Sequence, residues 1–229
     1  MEKNKYKTYK VLKIYDGDTA LVKNDRGEEA SIRFSYIDCF ETKKNSLIHT
    51  YLPESNILDS QYKWGELSKD DLFKMVMLNN YIIKLNIIDY DDFYKRYIAE
   101  VYDDFDNLYQ YFSIKKGTSL MLKGDLYKFN HDLLQNLIRN TEIARYNLLH
   151  AWGDYYAISP YLFRKFKKSI EDYIKKEKDL TPAEELKYDL YRKNKQVEDY
   201  LLSTELSTKL DYNFQLNTVS LIEELFESN

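Results

Sequence analysis

Cysteine, excess basic charge and long apolar runs are all scarce in this chain of 229 residues. The single cysteine, Cys39, excludes an internal disulfide framework and a cysteine-rich zinc site. The formal net charge of −4 argues against a protein that coats nucleic acid through bulk electrostatics, because such proteins usually carry a basic surface. The basic N-terminus is followed by no apolar run of signal-peptide length, and no stretch reaches the length of a membrane span. We therefore expect an intracellular, cytoplasmic protein with no membrane partner.

The chain is nevertheless rich in tyrosine, with 23 of them against 6 glycines and 3 prolines. Hydrophobic residues make up 44% and charged residues 31%, which is typical of a globular protein rather than a disordered one. Two explanations of the tyrosines remain open. One is the codon usage of an A+T-rich genome, and the other is a surface on which nucleic-acid bases stack.

The pattern of apolar residues predicts an α+β fold. Residues 7–37 alternate as a three-stranded meander, in which period two places Arg33 opposite Ile32 and Phe34. The next segment, 42–63, has no clean period and is predicted to be a long loop. A helix over about 66–79, strands at about 81–88 and 96–102, and two further helices complete a five-stranded OB-type barrel with three helices. We place this domain at residues 1–155 and a helical C-terminal extension of unknown role at 156–229.

Carboxylates and a guanidinium are concentrated near the N-terminus. The chain carries Asp16-Gly17-Asp18-Thr19, then Arg33, Asp38 and Glu41-Thr42. Carboxylate oxygens bind a hard cation such as Ca²⁺, and a guanidinium binds phosphate through two hydrogen bonds. A site with both groups is suited to metal-assisted cleavage of a phosphodiester, so the residues suggest a Ca²⁺-dependent nuclease.

These motifs resemble those of the staphylococcal nuclease (thermonuclease) family. Its Asp-Gly-Asp-Thr stands here at 16–19, and its Arg-x-x-x-x-Asp-Thr-Pro-Glu stands as Arg33 to Glu41 with the same spacing. Its second arginine motif, Tyr-Gly-Arg-x-x-Ala, stands as Tyr94-Lys95-Arg96-Tyr97-Ile98-Ala99. The resemblance covers residues 7 to about 154. Cys39-Phe40 replace the family's Thr-Pro, and Lys95 replaces its glycine.

The resemblance implies a metal site that holds one Ca²⁺. Asp18 and Asp38 would be direct ligands, helped by the backbone carbonyl of Cys39. Glu41 would orient or deprotonate the attacking water. Asp16 is more often a turn residue than a ligand in such a motif.

The resemblance also implies a site for the scissile phosphate. Arg33 and Arg96 would bind this phosphate and stabilise the charge that builds in the transition state. Tyr127 would lie beside the nucleotide. Family members cut DNA and RNA with little sequence preference and leave 3′-phosphates, and we expect single-stranded DNA or RNA as the substrate here.

Two alternatives remain open. The barrel could be catalytically silent and bind nucleic acid or protein, with the C-terminal helices as the docking site for a protein partner. A metal phosphohydrolase built on His131-Asp132 with His49 and His150 is a weaker possibility, because a polar pair at the start of a helix explains His131-Asp132 as well.

Overall fold

The computed structural model describes residues 6–42, 47–122, 131–206, 208 and 210–227. The chain forms two compact units. The first comprises Met1–Phe40 and Gly65–Asn147, and the second comprises Glu41–Trp64 and Leu148–Asn229. The sequence alone suggested a single boundary near residue 155, whereas the chain passes between the units three times.

A closed five-stranded barrel forms the centre of the first unit, which makes the fold α+β. Its strands are β1 (Lys7–Ile14), β2 (Thr19–Lys23), β3 (Glu29–Phe34), β5 (Ile82–Asp91) and β6 (Arg96–Tyr102). They close in the order β1-β2-β3-β6-β5, so that β5 pairs with β1. Every pair is antiparallel except β3 with β6, which is parallel.

Period-two alternation fills the barrel with apolar side chains. Val22, Ile32, Phe34 and Val101 are fully or almost fully buried. The prediction that Ile32 and Phe34 face the core, with Arg33 on the opposite face, is confirmed. The predicted strands after residue 80 are confirmed as well.

A left-handed residue ends the third barrel strand earlier than predicted. Tyr36 has φ 69°, and the chain turns there instead of continuing to Ile37. Residues Ile37–Cys39 form a separate strand, β4, that pairs with β7 (Ser119–Met121) in a two-stranded sheet. This turn places Asp38 outside the barrel sheet.

Helices complete the first unit. The part of the long helix α2 (Asn56–Leu78) from Gly65 onwards belongs to this unit. Helix α3 (Tyr109–Lys116) ends at Gly117, whose φ of 80° is the left-handed conformation that favours glycine. Helix α4 covers His131–Tyr146.

The predicted long loop at 42–63 is wrong. Residues Leu47–Tyr51 form the short helix α1, and α2 begins at Asn56. The apolar side chains of this segment are covered by residues distant in sequence. Ile48, Leu52, Ile57 and Leu58 belong to one buried cluster with side chains of the helices that follow residue 159.

Three long helices build the rest of the second unit: α5 (Pro160–Glu177), α6 (Ala183–Leu202) and α7 (Tyr212–Phe226). Ser159 caps α5, since its hydroxyl accepts the Leu162 amide at 3.2 Å. Pro182 is the N-cap of α6. None of the helices in the described residues is long and apolar enough to cross a bilayer.

Candidate functional site

Arg33 connects two of the predicted site carboxylates. Its Nη2 lies 3.0 Å from Oδ1 of Asp38, and its Nη1 contacts Oδ1 of Asp18. The second oxygen of Asp18 accepts the backbone N–H of Cys39 at 2.7 Å. The three charged side chains are only 7–15% exposed. The structure therefore brings Asp18, Arg33, Asp38 and Cys39 together in one buried network.

Local pairing explains this convergence. Thr19 is the register partner of Arg33, so the start of β2 carries Asp18 to the level of the guanidinium. Asp38 comes from the other direction, because the turn at Tyr36 folds β4 away from β3.

The network shifts the pKa values of the two aspartates in the Asp-Gly-Asp motif in opposite directions. Burial alone would raise the pKa of Asp18, but the charge of Arg33 and the Cys39 amide outweigh it and hold the pKa below its usual value. Burial and the neighbouring charge of Asp18 raise the pKa of Asp16 to about 7. Burial alone would lower the pKa of Arg33, but the charges of Asp18 and Asp38 raise it above the ordinary value.

Gly17 allows the close packing around this network. A Cβ at this position would lie 2.7 Å from Cβ of Ser68 and 2.9 Å from Sγ of Cys39, and it would also collide with Oγ of Ser68. The Cys39 thiol is buried and lies 3.1 Å from that hydroxyl. Burial, and secondarily the charge of Asp18, raises the pKa of the thiol. The side chain of Cys39 thus packs against α2, and only its backbone is bonded to Asp18.

The second predicted arginine lines the same pocket as the first. Arg33 faces Ile98 in the parallel pair, and Arg96 precedes Ile98 by two residues, so both guanidinium groups emerge on one face of the sheet. They line a pocket of about 330 Å³ together with Asp91 and apolar side chains. Nε of Arg96 lies 3.5 Å from Asp91, and its guanidinium lies 4.7 Å from the ring centre of Tyr94.

The described contact of Glu41 is made outside this network. Glu41 belongs to the second unit, where its carboxylate lies 3.4 Å from Arg164 of α5. Both side chains are substantially exposed, at 39% and 48%. Tyr127 lies outside the described residues.

The donors around Arg33 fit a hard cation in their chemistry. Asp16, Asp18 and Asp38 supply carboxylate oxygens near one guanidinium, so negative charge is in excess. Within the described ranges, no three carboxylate, imidazole or thiol side chains are arranged as ligands of one metal ion. Asp18 and Asp38 share Arg33 instead. A cation held by both aspartates would compete with the guanidinium for their Oδ1 atoms.

Two contacts of the site were missed from the sequence. Asp91 is the register partner of Arg96 in the antiparallel β5–β6 pair. The short turn between these strands would have allowed the pairing to be predicted from the sequence. Arg164 is 123 residues from Glu41, and no local signal predicts that pair.

A scan against protein-family models and a search of curated proteins both find no match for this chain. No relative therefore supplies an activity, a substrate or a set of site residues. The function is inferred from the residues and from their geometry.

Proposed function

We propose that this protein is a Ca²⁺-dependent nuclease that hydrolyses phosphodiester bonds of single-stranded DNA or RNA with little sequence specificity and leaves 3′-phosphates. The barrel supports an OB-type assignment, since five strands close with one parallel pair between the third and the last. The motifs at 16–19, 33–41 and 94–99 support a relationship with the staphylococcal nuclease family.

The observation that carries the proposal is the shared pocket of Arg33 and Arg96. Two guanidinium groups on one face of the sheet are suited to a phosphate, because each can donate two N–H bonds to its oxygens. The first of them is also in contact with Asp18 and Asp38, the candidate cation ligands. The candidate phosphate site and the candidate cation site are thus next to each other.

The roles of the residues follow from their contacts. Arg33 and Arg96 would bind the non-bridging oxygens and stabilise the charge that builds there during cleavage. Asp18 and Asp38, with the carbonyl of Cys39, would hold Ca²⁺. When bound, this ion would neutralise phosphate charge and lower the pKa of its own water. Glu41 would accept a proton from the attacking water.

A binding module without catalysis is the alternative function, and one observation favours it. The candidate base Glu41 is ion-paired with Arg164 within the second unit. In this alternative the barrel binds nucleic acid or protein, and the C-terminal helices contact a protein partner.

The test is cleavage of single-stranded DNA and RNA by the full chain in millimolar Ca²⁺. An excess of EGTA and the Glu41→Ala variant should each abolish turnover, while Glu54→Ala, an exposed carboxylate in the same unit, should leave it unchanged. Binding of the oligonucleotides without cleavage by the folded wild type would overturn the nuclease and support the binding module. Cleavage that persists in Glu41→Ala would remove Glu41 as the base.

A further inference from the structure

The largest pocket described in the first unit lies away from the arginine pocket. It has a volume of about 1080 Å³ and is bounded by the C-terminal half of α2, by the segment between β6 and α3, and by α3 and α4. Cavities of this size accommodate small organic molecules. Its lining shares no residue with the pocket of Arg33 and Arg96.

A buried carboxylate, Asp71 of α2, belongs to the lining of this pocket. Its side chain is 3% exposed, and its Oδ1 accepts a hydrogen bond from Nζ of Lys116 at 2.6 Å. Its Oδ2 is buried and has no hydrogen-bond partner among the residues that the structure describes. A buried carboxylate with one acceptor unpaired is costly, so a cation that comes to lie beside Asp71 gains more than it would beside a carboxylate at the surface.

A second buried carboxylate adds negative potential. Glu100 also lines the pocket and is 8% exposed. Its described donors are the hydroxyls of Tyr36 and Tyr102 and the amide of Asn86, none of which is cationic. The pocket lining as a whole contains five carboxylates and three lysines, so negative charge is in excess.

Aromatic rings provide the remaining wall. Five of them line the pocket: Tyr102, Phe105, Tyr109, Tyr111 and Phe112. A lysine of the chain already places its ammonium group beside one of these rings. Nζ of Lys116 lies between the carboxylate of Asp71 and the ring of Phe112, 5.8 Å from the ring centre.

We propose that this pocket binds an organic cation, a molecule with an apolar body and an ammonium group that lies beside the carboxylate of Asp71. The aromatic and aliphatic walls take the body, and the excess of carboxylates selects the positive charge. The proposal is independent of the nuclease function, because none of the residues that line this pocket lines the arginine pocket.

Three probes with the same body and different head groups test this proposal on the full chain: 3-phenylpropylamine, 3-phenylpropanol and 3-phenylpropanoate. Binding is followed by shifts of backbone amide NMR signals. The amine should bind about tenfold more tightly than the alcohol, because both head groups can donate a hydrogen bond but only the ammonium carries a charge opposite to that of the carboxylates. The carboxylate should bind most weakly, and the shifts should map to residues around Asp71 and Phe112.

Two variants separate the contribution of the head group to the affinity from that of the apolar body. Asp71→Asn should bring the amine and the alcohol to about equal affinity, whereas Asp172→Asn on α5, outside this pocket, should keep the difference. Phe112→Ala at the half-exposed wall should weaken both ligands together. Equal binding of all three probes, shifts that map elsewhere, or no binding to the wild type would overturn the proposal. Should Asp71→Asn fail to fold, the wild-type series and Phe112→Ala decide the question.

Discussion

Arg33 and Arg96 line one pocket from neighbouring strands, yet Arg33 is bonded to two buried carboxylates while Arg96 approaches one carboxylate at 3.5 Å. The side chain of Arg96 and that of its partner are also more exposed, at 24% and 22%. The two arginines therefore differ in what they contribute to folding, even where both serve the same substrate.

Replacing Arg33 should cost stability as well as function. Arg33→Met leaves Asp18 and Asp38 buried without their counter-charge, and the free energy of unfolding should fall by roughly 3–5 kcal/mol in urea denaturation. Arg192→Met is the control, because its side chain is 64% exposed and its ion pair with Asp189 should contribute roughly 0–1 kcal/mol. Equal, small losses in both variants would contradict a buried network at Arg33.

Replacing Arg96 should separate activity from folding. If the chain is a nuclease, Arg96→Ala should lower turnover by roughly 10²–10³ with little change in stability, because a donor to the transition state is lost. Lys95→Ala is the matched control, since Lys95 is the adjacent cation and is 72% exposed. The measurement is Ca²⁺-dependent cleavage of single-stranded DNA. A comparable loss in both variants would point to general electrostatic attraction instead of a specific contact.

The thiol of Cys39 should be inert in the folded protein. It is 5% exposed, and burial and the charge of Asp18 raise its pKa, so little thiolate is present at neutral pH. A chromogenic disulfide reagent should react with it only after unfolding in urea. Reaction of the native chain at the rate of a free thiol would show that the packing against Ser68 opens readily.

Adding a methyl group at Gly17 should destabilise the first unit. Gly17→Ala forces the new Cβ against Ser68 and Cys39, and overpacking of this kind costs about 1–3 kcal/mol. The combination with Ser68→Gly should recover part of the loss. Gly27→Ala is a control of a different kind, since a Cβ there would meet only Cε of Lys23 at an ordinary 3.5 Å, and the strain comes from the φ of 86° alone. Urea denaturation of the four variants measures these differences, and full additivity of Gly17→Ala and Ser68→Gly would contradict the contact.

The hydrogen bond from Tyr173 to Asp189 should make part of the stability of the second unit depend on pH. Burial would raise the pKa of Asp189, but the bond from Tyr173, at 2.8 Å, and Arg192 outweigh it and lower the pKa. A lowered pKa stabilises the fold above the unfolded value of about 3.9, and this contribution is lost as the pH falls through the folded value.

Tyr173→Phe should therefore reduce the free energy of unfolding by roughly 1 kcal/mol at pH 7, with a smaller difference near pH 3. Urea denaturation at the two pH values measures this. Tyr188→Phe, on an exposed ring of α6, should change neither value. A difference for Tyr173→Phe that grows on acidification would reverse the assigned sign.

The sequence predicted the parts of the site that depend on local rules. Period two placed Arg33 on the outer face of β3, and the same rule in β6 aligns Arg96 with Ile98. The proximity of Arg33 and Asp38 depends on a tyrosine in the left-handed region at position 36, a conformation that no sequence pattern specifies for this residue type. The requirement for glycine at position 17 could not be predicted either, because it depends on the close packing of Ser68 of α2 against it.

The error at 42–63 has a non-local cause. An isolated five-residue helix such as α1 is unstable in water, and its side chain Ile48 becomes buried only against helices formed more than 100 residues later. No window of local sequence contains this information. For the same reason the pairing of Glu41 with Arg164 could not be predicted.

The second unit is built from two separate stretches of the chain. Residues 41–64 contribute Ile57, Leu58 and Tyr62 to the same hydrophobic cluster as the helices after residue 159. The two stretches therefore bury each other's apolar side chains, and a chain cut after residue 155 would leave those of residues 41–64 exposed to water. The C-terminal helices are thus needed for the segment that directly follows β4.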